Sequence, residues 1–197
     1  MFDFNDATTE TSGNKYLEPG IHPSVMVSEI TSGVSSQKQS PYVQITVQDS
    51  TGATCSNNYY LNTTPGKSGI SAWQISKNAI LQLVMAATNS DETTAKGKMP
   101  KAVDGTELAT KLSTILVGKK FAIQLSGEWV TPNDPEKTSW IKSVFGNYTF
   151  AVPTADVNKL KFNPSKNIKG SPAPTQAELD EAIPGLNGTP AAKSAWD

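Results

Sequence analysis

The sequence contains no arginine, one cysteine and one histidine among its 197 residues. With Cys55 alone, no intrachain disulfide can form, and Cys55 with His22 is too few ligands for a Cys/His zinc site. Ser-His-Asp or Cys-His chemistry would depend on His22, which stands beside Pro23 at the start of a strand pattern. These absences favour a protein with no catalytic centre, no metal and no cofactor.

Long hydrophobic runs are also absent, since none approaches the roughly 18 residues of a membrane-spanning helix. The first six residues, Met1-Phe2-Asp3-Phe4-Asn5-Asp6, are acidic and lack the basic start and the apolar run of an ordinary signal peptide. The sequence therefore predicts a cytoplasmic protein that makes no contact with a membrane.

All 17 basic residues are lysines, and they are unevenly distributed. Residues 19–170 carry fifteen lysines against ten acidic residues, a net charge of +5, whereas residues 1–18 and 171–197 each carry −3. Lysine contacts phosphate as a point charge, while arginine makes the bidentate contacts that read bases. The pattern predicts that the central region holds a polyanion without reading a sequence.

Two patterns that could support catalysis are incomplete. Pro65-Gly66-Lys67-Ser68 resembles the end of a phosphate-binding loop, but Leu61 stands where the first glycine of that motif is required. Glu128, Asp134 and Glu136 lie in or beside a predicted turn, which is typical of solvated acids. An enzyme is therefore the least favoured interpretation.

Hydrophobic periodicity predicts a mainly β fold with two inserted helices. In the clearest strand, Val43, Ile45 and Val47 alternate with polar residues, and the helix after Ser71 starts with a capping-box pattern. The predicted strands are 21–30, 42–48, 53–61, 120–126 and 140–150, and the predicted helices reach residue 87 and span 106–117. Five strands with helices after the third predict a five-stranded OB-like barrel.

Composition divides the chain into three parts. Residues 1–18 are predicted to be a flexible N-terminal arm, 19–152 an OB-fold-like binding domain, and 153–197 a disordered linker and acidic tail, because six of the 13 prolines follow residue 152. Trp196 and Asp197 are candidates for contacting partner proteins. Alternatively, the acidic tail folds back over the basic groove.

Aromatic residues beside lysines are the main functional signal, because proteins that bind single strands combine aromatic stacking with a cationic groove. Tyr42 and Tyr60 fall on polar strand faces, whereas Trp73, Phe121 and Phe145 are predicted in the core. The candidate nucleic-acid-binding residues are Lys38, Tyr42, Tyr60, Lys119, Lys120, Lys137, Trp140, Lys142 and Tyr148.

Several short segments in order resemble the phage-type single-stranded-DNA-binding proteins with an OB-fold. They are Phe2-Asp3-Phe4-Asn5, Tyr16-Leu17-Glu18-Pro19-Gly20, Pro41-Tyr42-Val43-Gln44-Ile45, Tyr60-Leu61-Asn62 before a helix at 75–87, and Leu116-Val117-Gly118-Lys119-Lys120-Phe121. The resemblance covers residues 2–150. It departs from the family in having no arginine and no dense acidic run in the tail. It implies binding of single-stranded DNA in phage replication or recombination, in the cytoplasm of the host cell, with replication or recombination proteins as further partners through the tail.

Two other classes of binding protein remain open. A phage structural or interaction module with a β-barrel core also fits strands rich in Thr, Ser and Asn. A carbohydrate-binding module would likewise use exposed aromatic residues.

Overall fold

A long first strand, β1 (Gly20–Val34), organises the computed structural model of the protein, which describes residues 15–131, 139–145 and 150–172. Its first half pairs with β4 (Lys120–Val130) and its second half with β2 (Pro41–Gln48), both antiparallel. The register shifts once in each pairing, and such bulges bend a strand. Strand β1 therefore belongs to both halves of the sheet.

The described residues form a mainly β structure, as the sequence predicted, but the sheet has more strands than the five predicted and is not a closed barrel. The sheet is open and has seven strands in the described part of the chain. Its path runs β3-β2-β1-β4-β5, with β3 (Thr54–Tyr60) and β5 (Trp140–Phe145) at the edges. Two short strands, β6 (Ala151–Val152) and β7 (Ile168–Lys169), also pair with β4, and β7 does so in parallel.

The two edges of this open sheet meet through side chains rather than through a backbone ladder. The rings of Tyr59 on β3 and Phe145 on β5 stack with centroids 6.2 Å apart and an interplanar angle of 28°. The Sγ atom of Cys55 lies 3.7 Å from the carbonyl oxygen of Ser143. The sheet is thus strongly curled, and apolar side chains fill the space between its edges.

Residues 15–17 join the same two edges. The backbone N–H of Leu17 donates to the carbonyl of Thr54 at 2.9 Å, and the N–H of Thr54 donates to the carbonyl of Lys15 at 2.9 Å. The hydroxyl of Ser143 donates to the carbonyl of Leu17 from the other side. Leu17 is buried, so this end of the predicted arm is part of the folded domain.

The inner face of the sheet forms the core together with two helices, α1 (Ala72–Thr88) and α3 (Gly105–Leu116). The sequence correctly placed the strand residues of this face inward, and the helices add apolar side chains at helical spacing. The wholly buried large side chains of both are Val25, Val27, Val43, Ile45, Val47, Ile80, Leu83, Leu112, Leu116, Phe121, Ile123 and Leu125.

The insertion between β3 and β4 contains three helices instead of the two predicted. Helix α1 begins at its predicted cap, where the Oγ of Ser71 accepts from the N–H of Gln74 at 3.1 Å. Helix α2 (Glu92–Lys98) occupies part of the segment predicted as a loop. Asp91 caps it, and the burial of Ala95 holds it against the core despite the glycine in its last turn.

No helix in the described residues is long and apolar enough to cross a membrane.

Structure also continues past the boundary predicted at residue 153. A 3-10 helix (Thr154–Lys159), the buried Leu160 and helix α4 (Pro164–Asn167) lead into β7. Strand β7 approaches β4 at Gly127, where an added Cβ would lie 3.3 Å from a side-chain carbon of Ile168. Leu160 and β7, which belong to the predicted linker, are therefore part of the folded structure. Residues 1–14 and 173–197 lie outside the described residues.

Candidate nucleic-acid interface

The outer face of β1, β2 and β3 carries polar side chains in three rungs across the strands. The rungs are Glu29 with Thr46 and Ser56, Thr31 with Gln44 and Asn58, and Gly33 with Tyr42 and Tyr60. The Nε2 of Gln44 donates to the Oδ1 of Asn58 at 2.9 Å, and the hydroxyls of Thr46 and Ser56 lie 2.8 Å apart. These bonds pair the polar side chains of β2 with those of β3 below the tyrosines.

The tyrosine rung at the end of the strands is the most distinctive part of this face. The rings of Tyr42 and Tyr60 make an edge contact, with centroids 6.0 Å apart and an interplanar angle of 73°. Tyr60 keeps 37% of its surface exposed. A Cβ at Gly33 would lie 2.6 Å from the Oη of Tyr42 and 2.7 Å from its Cζ, so this ring packs directly against the glycine backbone.

A groove of about 760 Å³ opens beside the two rings, and we name it the tyrosine groove. Its lining residues are Val34, Ser35, Ser36, Gln37, Lys38, Ser40, Tyr42, Asn58, Tyr60, Asn62 and Ala72. Lys38 is the one charged residue in that lining, and apart from the aliphatic Val34 and Ala72 the others present hydroxyls, amides or aromatic rings. The groove therefore offers stacking surfaces, hydrogen-bonding groups and a single positive charge.

Lys38 reaches the groove on a compact loop between β1 and β2. The N–H of Ser35 donates to the carbonyl of Ser40 at 2.9 Å, and the Oγ of Ser35 accepts from the N–H of Ser40 at 3.0 Å. Gln39 takes a left-handed conformation, with φ at 49°, to complete the turn. The sequence predicted a loop over 31–40, but β1 continues to Val34, so the loop is short and internally bonded.

Lys119 and Lys120 lie elsewhere on the sheet. Lys120 stands opposite Met26 in the β1–β4 register, and the N–H of Gly118 donates to the carbonyl of Val27. Met26 is seven residues from Gly33 along β1, roughly 23 Å in an extended strand. Both lysines are exposed, but the structure does not bring them to the tyrosine groove.

Trp140 and Lys142 lie on β5, in the other half of the sheet. Trp140 is 50% exposed and stands opposite Val130 near the end of β4. Lys142 on β5 stands opposite Glu128 on β4, so a negative charge faces its positive charge across the two strands.

Of the nine predicted nucleic-acid-binding residues, the structure thus brings together Lys38, Tyr42 and Tyr60. Lys137 and Tyr148, like Trp196 and Asp197 of the tail, lie outside the described residues.

The buried ionisable groups of the core are poor candidates for chemistry. Burial raises the pKa of the Cys55 thiol to about 11, so it stays protonated at neutral pH and is a weak nucleophile. Burial also raises the pKa of the Tyr59 hydroxyl. In the described ranges, no three His, Cys, Asp or Glu side chains are grouped so that they could hold a metal ion.

Sequence analysis missed two features of this site. Gly33 was assigned to a loop, although a glycine inside a strand often marks a close approach, and here it accommodates Tyr42. Asn58 and Asn62 carry no pattern that distinguishes them from other polar residues, and only the register and the loop position bring them to the groove.

Comparison of the chain with protein-family models and with curated proteins finds no match, so the geometry of this face is the basis of the functional argument.

Proposed function

We propose that this chain is a non-catalytic protein that binds single-stranded DNA without reading its sequence. The observation that carries the proposal is the tyrosine rung: two partly exposed rings lie side by side at the ends of β2 and β3, next to Lys38 in an open groove. Every base has a face that can stack on such rings, so the binding is tolerant of sequence.

The position of the groove supports the same proposal. OB-folds bind oligonucleotides on the face of strands 2 and 3, beside the loop that joins strands 1 and 2. The tyrosine groove lies on β2 and β3 and is bordered by the β1–β2 loop. The sheet is open, but its edges meet at Tyr59 and Phe145, which supports a barrel-like form of the OB type.

The biological role proposed here is that of a phage protein that coats single strands during replication or recombination in the cytoplasm of the host cell. The lysine-rich centre, with a net charge of +5, supplies sequence-independent attraction to phosphate. The acidic tail would offer Trp196 and Asp197 to replication or recombination proteins. No metal or cofactor enters this proposal.

A carbohydrate ligand is the second candidate, and the lining of the groove is the observation that favours it. Hydroxyls of serines and amides of Asn58 and Asn62 outnumber the single lysine. Such groups hydrogen-bond sugar hydroxyls, and tyrosine rings can pack on sugar faces. Neutral oligosaccharide and oligonucleotide differ in charge, which makes salt dependence the property that separates them.

The test is a fluorescence titration of the full chain with oligo-dT, duplex DNA and a neutral oligosaccharide at several salt concentrations. We expect oligo-dT to bind best, with log K falling linearly as log salt rises. Tyr42→Ala and Tyr60→Ala should each weaken binding by about 1–3 kcal/mol, because each removes one stacking surface.

Tyr16→Ala is the matched control, since Tyr16 is 74% exposed and belongs to the N-terminal segment rather than to the groove. It should bind oligo-dT as the unaltered protein does. Equal affinity of all three tyrosine variants, or binding that is independent of salt, would contradict the proposal.

A further inference from the structure

A second groove, of about 730 Å³, lies beside the ends of β2 and β3, and we name it the tryptophan groove. Its apolar lining includes Leu61, Trp73, Leu81 and Met99, and Lys77 and Lys96 stand among the lining residues with exposed side chains. Trp73 was predicted in the core because it lies on the apolar stripe of α1. In the structure it packs against the core with one part of its surface and remains partly exposed in the groove.

The tyrosine and tryptophan grooves lie back to back. Neighbouring residues alternate between them: Tyr42 lines the first and Pro41 the second, and Tyr60 lines the first and Leu61 the second. The same alternation continues into the loop and the helix, where Asn62 and Ala72 line the first groove while Thr63 and Trp73 line the second. The backbone segments between the two grooves are joined by hydrogen bonds from Leu61 N–H to the Pro41 carbonyl and from Trp73 N–H to the Asn62 carbonyl, each 2.9 Å long. A ligand chain that leaves the tyrosine rung therefore has to pass around these segments to reach the tryptophan groove.

The chemistry of the second groove fits a nucleotide better than a purely apolar ligand. An indole ring with an apolar surround can stack a base, and two lysines at the rim can contact the phosphates on either side of it. Asp104 also lines the groove, but its Oδ1 accepts from the N–H of Glu107 at 2.8 Å as the cap of α3. Lys96 forms an ion pair with Glu92 one turn away on α2. We therefore expect Lys77 to contact phosphate more strongly than Lys96 does.

We infer that the tryptophan groove is a second subsite for the same single strand, in which Trp73 stacks a base and Lys77 and Lys96 contact phosphate. The inference rests on the proposed function, because it extends the path of the DNA from the tyrosine rung. It predicts that a strand long enough to cross the ends of β2 and β3 binds more tightly than one that covers the tyrosine groove alone.

The test compares oligo-dT of about 4 nucleotides with oligo-dT of about 16 nucleotides, the two ends of the range for one OB-fold. Trp73→Leu should weaken binding of the long strand by about fivefold or more and leave the short strand unaffected, and Trp73→Phe should restore most of the loss. Lys77→Gln/Lys96→Gln should lower the salt slope for the long strand by about 1.4, the value for two phosphate contacts on a single strand. The lysine double variant does not alter the core, so it tests the second subsite even if Trp73→Leu fails to fold.

Lys159→Gln/Lys166→Gln is the matched control, because both lysines are exposed on the segment after β6 and their loss changes the net charge equally. It should leave the preference for the long strand unchanged. If Tyr42→Ala weakens both strands while the Trp73 and lysine-pair variants bind the long strand normally, the second subsite is refuted and the proposed function stands. If Tyr42→Ala has no effect on either strand, the proposed function fails and the subsite fails with it.

Discussion

Strand β2 presents two faces that differ in composition and in exposure. On the inner face, Val43, Ile45 and Val47 are wholly buried against the helices. On the outer face, Tyr42, Gln44 and Thr46 alternate with them and keep contact with solvent. Burial of the inner face stabilises the fold, so the outer face is free to vary. The rings of Tyr42 and Tyr60 pack on each other and on Gly33 at this face, outside the core, which leaves them available for the ligand proposed above.

Replacement on the inner face should have the largest effect. Ile45→Ala leaves a cavity in the core and should lower the free energy of unfolding by about 2–5 kcal/mol. Thr46→Ala, the neighbour on the outer face, loses only a solvent-exposed contact with Ser56 and should cost less than about 1 kcal/mol. Urea denaturation of both variants measures the contrast. Equal losses in the free energy of unfolding for the two variants would contradict the claim that the inner face stabilises the fold more than the outer face does.

The inner face also predicts a pH effect, through Cys55 on β3. Burial raises its pKa from the ordinary value of 9.0 to about 11 in the folded protein. The unfolded chain therefore loses the proton first, so the stability from burying the neutral thiol is complete below pH 9.0 and is lost as pH rises toward 11. At a pH of about 10 the loss should be about 1.4 kcal/mol.

Cys55→Ala isolates this effect from the titration of lysines and tyrosines, which both proteins share. Urea denaturation at a pH of about 8 and of about 10 should show the stability difference between the two proteins shrinking as pH rises. A difference that stays constant over this range would mean that the thiol is not shielded from solvent.

A smaller effect, confined to binding, is expected on the outer face at Gly33. An added methyl group would overlap the Tyr42 ring and displace it, while the ring has solvent to move into. Gly33→Ala should weaken oligo-dT binding by about 1 kcal/mol and leave stability nearly unchanged. Combining it with Tyr42→Ala should add nothing to the loss caused by Tyr42→Ala alone. Additive losses would show that Gly33 acts independently of the ring.

Local patterns in the sequence predicted the inner face well. Alternation at 43, 45 and 47, and at 121, 123 and 125, identifies buried positions because strand side chains alternate between faces. The cap at Ser71 likewise placed the start of α1, since the bond to Gln74 is local. Helix α2 escaped prediction because it is short and a buried Ala95, which is a tertiary contact, holds it in place.

The candidate site was only partly predictable, because it depends on register. Tyr42 and Tyr60 were correctly placed on outer faces, but that they stand opposite each other follows from the pairing of β2 with β3. The same reasoning grouped Lys119 and Lys120 with them, although the bend of β1 places these lysines on another part of the sheet. Residues beyond 152 look like a linker in composition, yet the space at Gly127 lets β7 pack there.

The link made by residues 15–17 has a consequence for the order of events during synthesis. The carbonyl of Leu17 accepts a hydrogen bond from the hydroxyl of Ser143, a residue that is synthesised 126 residues after Leu17. At about 5–20 residues per second, this interval is roughly 6–25 s. During that time β3 can pair with β2, while the outer edge of β3 has no contact with β5 because β5 has not yet been synthesised. A nascent chain stalled before residue 143 therefore carries an edge open to other chains, and completing β5 is the step that protects it.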